Sequence, residues 1–170
     1  GDIRHWGVTD KESFSPRVII DLLMDHEHLW VLGREHGPVR IHLPTAHTLS
    51  LNALPGWHPS WNGLSFYSIA QIHDKLFFGT YEGKIIQFDL STQTFAALTQ
   101  FERHQQPVYQ MTPGPDGSLL ILSNDGLFSL QPSEPHTTLL LAPKRVQQSS
   151  FFSLNLDDQQ RVWLGGSSAV

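Results

Sequence analysis

An all-β fold is what this sequence predicts, on three observations. Short segments alternate apolar and polar residues with period two, and turn-forming residues punctuate them at short intervals. No stretch carries a convincing helical stripe of apolar residues. The third observation is an internal repeat, the feature that decides architecture most strongly.

Four segments line up. They are "VIIDLLMDHEHLWVLGREHGPVRI" from Val18, "FYSIAQIHDKLFFGTYEGKIIQF" from Phe66, "VYQMTPGPDGSLLILSNDGLFSL" from Val108 and "FFSLNLDDQQRVWLGGSSAV" from Phe151. Each opens with an alternating strand. A tight polar turn follows: His26-Glu27-His28, His73-Asp74-Lys75, Asp116-Gly117, and Asp157 to Gln160. A second, bulkier strand carries Trp30, Phe77, Leu120 or Trp163 at a fixed place, spaced by 47, 43 and 43 residues. A glycine turn (Gly37, Gly83, Gly126) leads to a third strand such as "KIIQFDL". Glycine suits such turns because φ > 0 costs it least. A weaker fourth strand is expected near Phe95 to Thr99 and near Thr137 to Leu141.

Four short antiparallel strands in every ~40–50 residues describe a β-propeller blade. One blade cannot cover both faces of its own sheet, so blades must stack. Trp30, Phe77, Leu120 and Trp163 are the expected stacking core. The boundaries that follow are 1–13 for the end of a preceding blade, 14–62, 63–104 and 105–148 for whole blades, and 149–170 for the start of a further one. "GDIRHWGV" matches a third strand, and "RVWLGG" supplies the opening of a blade that stops. A window of a larger propeller is therefore expected in preference to a self-closed four-bladed ring.

Composition narrows the function. The chain is 39% hydrophobic, enough for a real core, and 16% charged, well below the roughly 25% of ordinary soluble domains. A net charge of -5 without a basic face argues against nucleic acid as a partner. The absence of cysteine excludes disulfides, thiolate metal sites and cysteine nucleophiles. No apolar run approaches the ~18 residues of a membrane span.

Catalytic patterns are weak. Neither a G-x-S-x-G elbow nor an H-E-x-x-H zinc motif occurs. His26 and His28 in "DHEHLW" have metal-like spacing, but the repeat places them in a solvated turn. Asp157 and Asp158 also read as turn residues, Gly165-Gly166 as a strand end, and Arg34 and Arg40 as surface residues. No cofactor and no metal site is expected.

Two features remain as candidate ligand-binding positions. "PGWHPSWNG" places Trp57 and Trp61 in a connector between blades. An indole there offers a flat apolar face to a sugar or another ring. Folded between sheets it would instead stabilise by roughly 1.5–3 kcal/mol, which makes burial the stronger default. Lys144 and Arg145, adjacent in "APKRVQQSS", could hold an anionic group or lie in a solvated loop.

At "LWVLG", "LFFGTYEGKI", "LLILSNDGLFSL" and "VWLGG" the repeats resemble two-component regulator propeller repeats, with their G-x-L-W-I-G-T-x-x-G-L core. The second keeps Gly79, Thr80 and Gly83; the third keeps Asp116, Gly117 and Gly126 but has Leu120 and Leu122 where Trp and Gly are usual. The first has one extra residue before Gly33, and the fourth keeps Trp163 and Gly165. The resemblance implies the extracytoplasmic, periplasmic sensor of a membrane-anchored bacterial receptor with a histidine kinase or diguanylate cyclase output. This segment would bind a small molecule or carbohydrate without catalysis, and its parent could act as a homodimer. A protein-docking scaffold is the alternative, and a propeller lyase or hydrolase a weaker one.

Overall fold

The computed structural model describes residues 18–33, 36–98, 101, 106–133, 137–142 and 148–168. They form three four-stranded antiparallel sheets and one two-stranded sheet. Blade one runs β1 (Ile19–Asp25), β2 (His28–Gly33), β3 (His36–His42), β4 (His47–Ser50). Blade two runs β5 (Phe66–Ile72), β6 (Lys75–Thr80), β7 (Ile85–Asp89), β8 (Thr94–Ala97). Blade three runs β9 (Gln110–Pro113), β10 (Leu119–Ser123), β11 (Gly126–Leu130), β12 (Thr137–Leu141). The last pair is β13 (Gln148–Leu156) and β14 (Val162–Ser168). Chain order equals spatial order in every sheet, and the first strands stand side by side as β1, β5, β9, β13. This is the blade arrangement of a β-propeller.

The hairpins explain the turn residues. His26 (φ 48) and His73 (φ 54) take the left-handed conformation at the same place in the first two blades. Gly117 (φ 76) does so in the third. Gly83 (φ 80) and Gly126 (φ 137) serve the turns before the third strands. Gly37 departs from expectation. It lies inside β3, without a positive φ, 3.7 Å (from where a Cβ would stand) below the Trp57 ring. β4 was not foreseen, because "HTLS" shows no apolar alternation.

The core lies in the seams between blades. Trp30 and Leu32 of β2 meet Leu76, Phe78, Ile86 and Phe88 of blade two. Phe77 and Ile85, on the other face of blade two, meet Met111, Ile121, Phe128 and Leu130 of blade three. Leu120, Leu122 and Leu127 meet Phe151, Leu154 and Leu164. An inner blade has a neighbour on both faces, so its second strand is apolar throughout; "LFF" in β6 follows from that. Each such side chain contributes roughly 1.5–3 kcal/mol of burial.

Trp163 corrects the expected stacking core. Trp30, Phe77 and Leu120 are buried, whereas Trp163 is 58% exposed. Leu164, its neighbour in β14, faces blade three, so alternation turns Trp163 the other way, where no described strand covers it. Its Nε1 donates to Asp157 Oδ2 at 2.9 Å, and Arg161 sits 5.7 Å from the ring centroid.

The first strands are joined by a repeating device. Asp21 of β1 accepts a hydrogen bond from the backbone N–H of Ile69 in β5, at 3.0 Å. Gln110 of β9 accepts from the N–H of Leu154 in β13, at 2.8 Å. Asp21, Ser68, Gln110 and Ser153 occupy one position of the repeat, opposite Leu32, Gly79, Leu122 and Gly165. Two pairings therefore alternate. A long acceptor faces Leu in blades one and three, and Ser faces Gly in blade two and the last pair. Ser68 Oγ is buried without a hydrogen-bond partner. A Cβ at Gly79 would collide with Val108 Cγ1 and lie 2.6 Å from Ser68 Oγ, so only glycine admits the next blade this closely.

Candidate functional site

The β4–β5 connector holds Trp57 and Trp61. His58 Nδ1 accepts from the N–H of Ser60 and so caps a short 3-10 turn, Pro59–Trp61. Trp57 Nε1 donates to Asn62 Oδ1 at 2.9 Å, which fixes the loop across its own neck. The two indoles meet edge to face, with centroids 5.3 Å apart. Trp57 also stands 5.5 Å from Phe95 and 6.0 Å from Phe66, and Trp61 5.9 Å from Phe95. Both rings thus fill the outer part of the seam between blades one and two. Trp61 keeps 8% of its surface, and Trp57 stays half-buried.

A groove opens in the same seam at the opposite rim. Asp25, His26, Glu27, His28, Trp30 and Arg40 of blade one and Leu90 and Gln93 of blade two enclose a cavity of about 400 Å³. Two hairpins make it: the β1–β2 turn and the β7–β8 turn. Arg40 sits opposite Trp30 in the β2–β3 register, and its guanidinium carbon lies 5.6 Å from the Trp30 centroid. Trp30 is 1% exposed, and its Nε1 has no hydrogen-bond partner among the described residues.

The charges of this groove are unevenly matched. His42 Nε2 lies 3.4 Å from Glu27 Oε2, and its Nδ1 lies 2.7 Å from Thr45 Oγ1. His26 Nε2 lies 3.8 Å from Asp25 Oδ1. His28 and His42 rings stand 5.1 Å apart. Burial holds His28 below the ordinary histidine value, helped next by Arg40 and His42; Asp25 and Glu27 pull the other way less strongly. At neutral pH His28 is therefore an uncharged imidazole beside a permanent cation.

Sequence reasoning read Arg40 as a surface residue, whereas the structure leaves it half-buried at the groove beside Trp30. Its signal lay in the cross-strand register with Trp30, which the linear order hides. Among the described residues no group of three or more His, Asp or Glu side chains is placed to hold a metal ion, at His26 and His28 or elsewhere. Asp157 is a turn residue, accepting from the N–H of Gln159 and Arg161 at 3.0 and 2.9 Å. Lys144 and Arg145 lie outside the described residues. No described helix is long and apolar enough to cross a membrane.

The next seam repeats the groove with different chemistry. Ile72, His73, Asp74, Lys75 and Phe77 of blade two face Gly117, Gln131, Pro132 and Ser133 of blade three around about 300 Å³. Phe77 stands where Trp30 stands, and Gln87, opposite it, where Arg40 stands.

Comparisons with known proteins agree with this architecture. No family model matches the chain, and no curated protein does. Among solved structures it is similar to the extracellular domain of the putative hybrid two component system BT4673 from B. thetaiotaomicron, at 18% identity and a TM-score of 0.72, over 91% of this chain and 22% of that one. It is also similar to the extracellular domain of the putative hybrid two component system BT3049 from B. thetaiotaomicron, at 15% identity and a TM-score of 0.73, over 97% and 21%. A third is PorZ, a surface component of the type-IX secretion system of Porphyromonas gingivalis, at 13% identity and a TM-score of 0.57, over 89% and 21%. The chain spans about a fifth of the length of these proteins. At such identities the likeness establishes the fold alone: a set of propeller blades.

Proposed function

We propose that this chain is the ligand-sensing part of an extracytoplasmic receptor, periplasmic and membrane-anchored in its parent, and that it carries no catalysis. The observation that supports this most is the shared blade architecture with extracellular domains of two-component systems over more than nine-tenths of the chain. The groove between blades one and two adds a concave site lined mainly by polar and charged side chains over the Trp30 ring, built from hairpin loops on a rigid scaffold. The ligand class is a small molecule or carbohydrate fragment, and the output module lies elsewhere in the parent.

A thermal-shift screen of the purified chain against neutral and acidic mono- and oligosaccharides tests the reading. A ligand at 100 times its Kd raises stability by about 2.7 kcal/mol, a readily measured shift in melting midpoint. A screen in which no small molecule stabilises the chain would count against sensing.

A further inference from the structure

We infer that the groove between blades one and two is a carboxylate-recognition subsite, with Arg40 as the group that receives the anion and Trp30 as its floor. The inference deepens the sensing reading and rests on it. Four observations carry it.

The guanidinium is restrained. Arg40 is half-buried in β3, and its guanidinium carbon lies 5.6 Å from the ring centroid of an indole that is itself 1% exposed, a contact that narrows its freedom before any ligand arrives. A guanidinium presents a planar fork of N–H donors that matches the two oxygens of a carboxylate. Arg40 makes no ion pair among the described residues. Two carboxylates share the groove, Glu27 at 3.4 Å from His42 and Asp25 at 3.8 Å from His26.

The floor also carries a buried polar group. Trp30 Nε1 is buried and unpartnered, a state that costs about 1–3 kcal/mol when nothing relieves it. The cavity of about 400 Å³ lies within the range of small-molecule sites and has room for a monosaccharide or small hydroxy acid. The neighbouring seam supplies the contrast. It has the same hairpins, but Phe77 and Gln87 replace Trp30 and Arg40, so the propeller rim as such does not require this pair.

The test compares D-glucuronate with D-glucose, ligands of like size that differ at the carboxylate. Calorimetry on the 170-residue chain is expected to give roughly tenfold to a hundredfold tighter binding of glucuronate, the range of a charge-assisted hydrogen-bonded contact. In ¹⁵N-resolved NMR the Trp30 indole N–H signal should move on adding glucuronate. Arg40→Gln places in this seam the side chain already present at Gln87, and should abolish the preference with an unchanged melting midpoint. Arg40→Lys keeps the charge without the fork and should retain only part of it. Inorganic phosphate serves as the second anion and should compete more weakly than the planar carboxylate.

Equal affinity for the two sugars, or no binding of glucuronate, would overturn the carboxylate subsite. So would an undiminished preference in Arg40→Gln. Binding of neutral sugars without that preference would leave the sensing reading standing while removing this one. Failure of the whole thermal-shift screen would remove the sensing reading itself.

Discussion

Replacing Asp21 separates two effects that share one carboxylate. Its Oδ2 accepts from Ile69 N–H at 3.0 Å across the first seam, and its Oδ1 accepts from Leu22 N–H at 2.9 Å. Ile69 is 5% exposed, so water does not replace the lost acceptor there, whereas the Leu22 bond is exposed and water does. Orphaning one buried N–H costs about 1–3 kcal/mol. Against this, burial raises the Asp21 pKa above its ordinary 3.8, more than the bonds from Ile69 and Leu22 lower it, so the charge itself sits at a cost. Asp21→Ala is therefore expected to destabilise by about 1–2 kcal/mol. Asp21→Asn keeps the acceptor and removes the charge, and should match or slightly exceed the parent. Gln110 shows a neutral amide in the same role at 2.8 Å.

The pH dependence has a definite sign. With its pKa raised on folding, Asp21 binds more protons folded than unfolded between 3.8 and the raised value, so its contribution falls as pH rises through that window. The advantage of Asn over Asp should thus be larger at pH 7 than at pH 4. Urea unfolding of the three proteins at both pH values measures this. Equal stability of the Ala and Asn variants would refute the inter-blade hydrogen bond as the stabilising element.

Other outcomes follow from the same structure. Gly79→Ala should cost about 1–3 kcal/mol by overpacking, and adding Ser68→Ala should not restore it, because Val108 still obstructs; urea midpoints decide. Gly126→Val should prevent stable folding of blade three, since any Cβ there collides with the Leu141 carbonyl oxygen and φ is 137; loss of cooperative melting by circular dichroism is the readout. Trp61→Ala should cost about 3–5 kcal/mol and Trp57→Ala less, by chemical denaturation, because Trp61 is the more buried ring. Asp157 is held at a pKa of about 2, first by the Trp163 indole and then by Arg161. Its stabilisation is present above 3.8 and lost as pH falls through about 2, so Asp157→Asn should flatten the acid limb of an unfolding curve followed by intrinsic tryptophan fluorescence.

Most of the fold was legible because the repeat aligns residues under equal constraint. Trp30, Phe77 and Leu120 share a place in their blades, and each is buried against the blade that follows. Trp163 shares the place without the burial, because alternation fixes which face a residue takes but not whether another sheet lies there. Gly37 was misread because a glycine ahead of a strand suggests a turn, while here it lies flat under Trp57. The edge strand β4 carries too little apolar alternation to announce itself. The groove was hidden for a different reason. Arg40 and Trp30 are ten positions apart and meet through strand register alone. The seam acceptors did leave a trace, a column of polar residues (Asp21, Ser68, Gln110, Ser153) inside otherwise apolar strands.

The alternation of those columns sets the unit in which this protein can be cut and recombined. Asp21 grips blade two and Gln110 grips the sheet after blade three, while the middle seam relies on the narrow fit of Val108 over Gly79. A chimera that moves one blade would set an Asp/Leu strand where a Ser/Gly strand is awaited, leaving a clash on one side and a gap on the other. A transfer of two blades together keeps every partner in phase. For engineering, the working module is the doublet, and the middle seam is its natural joint.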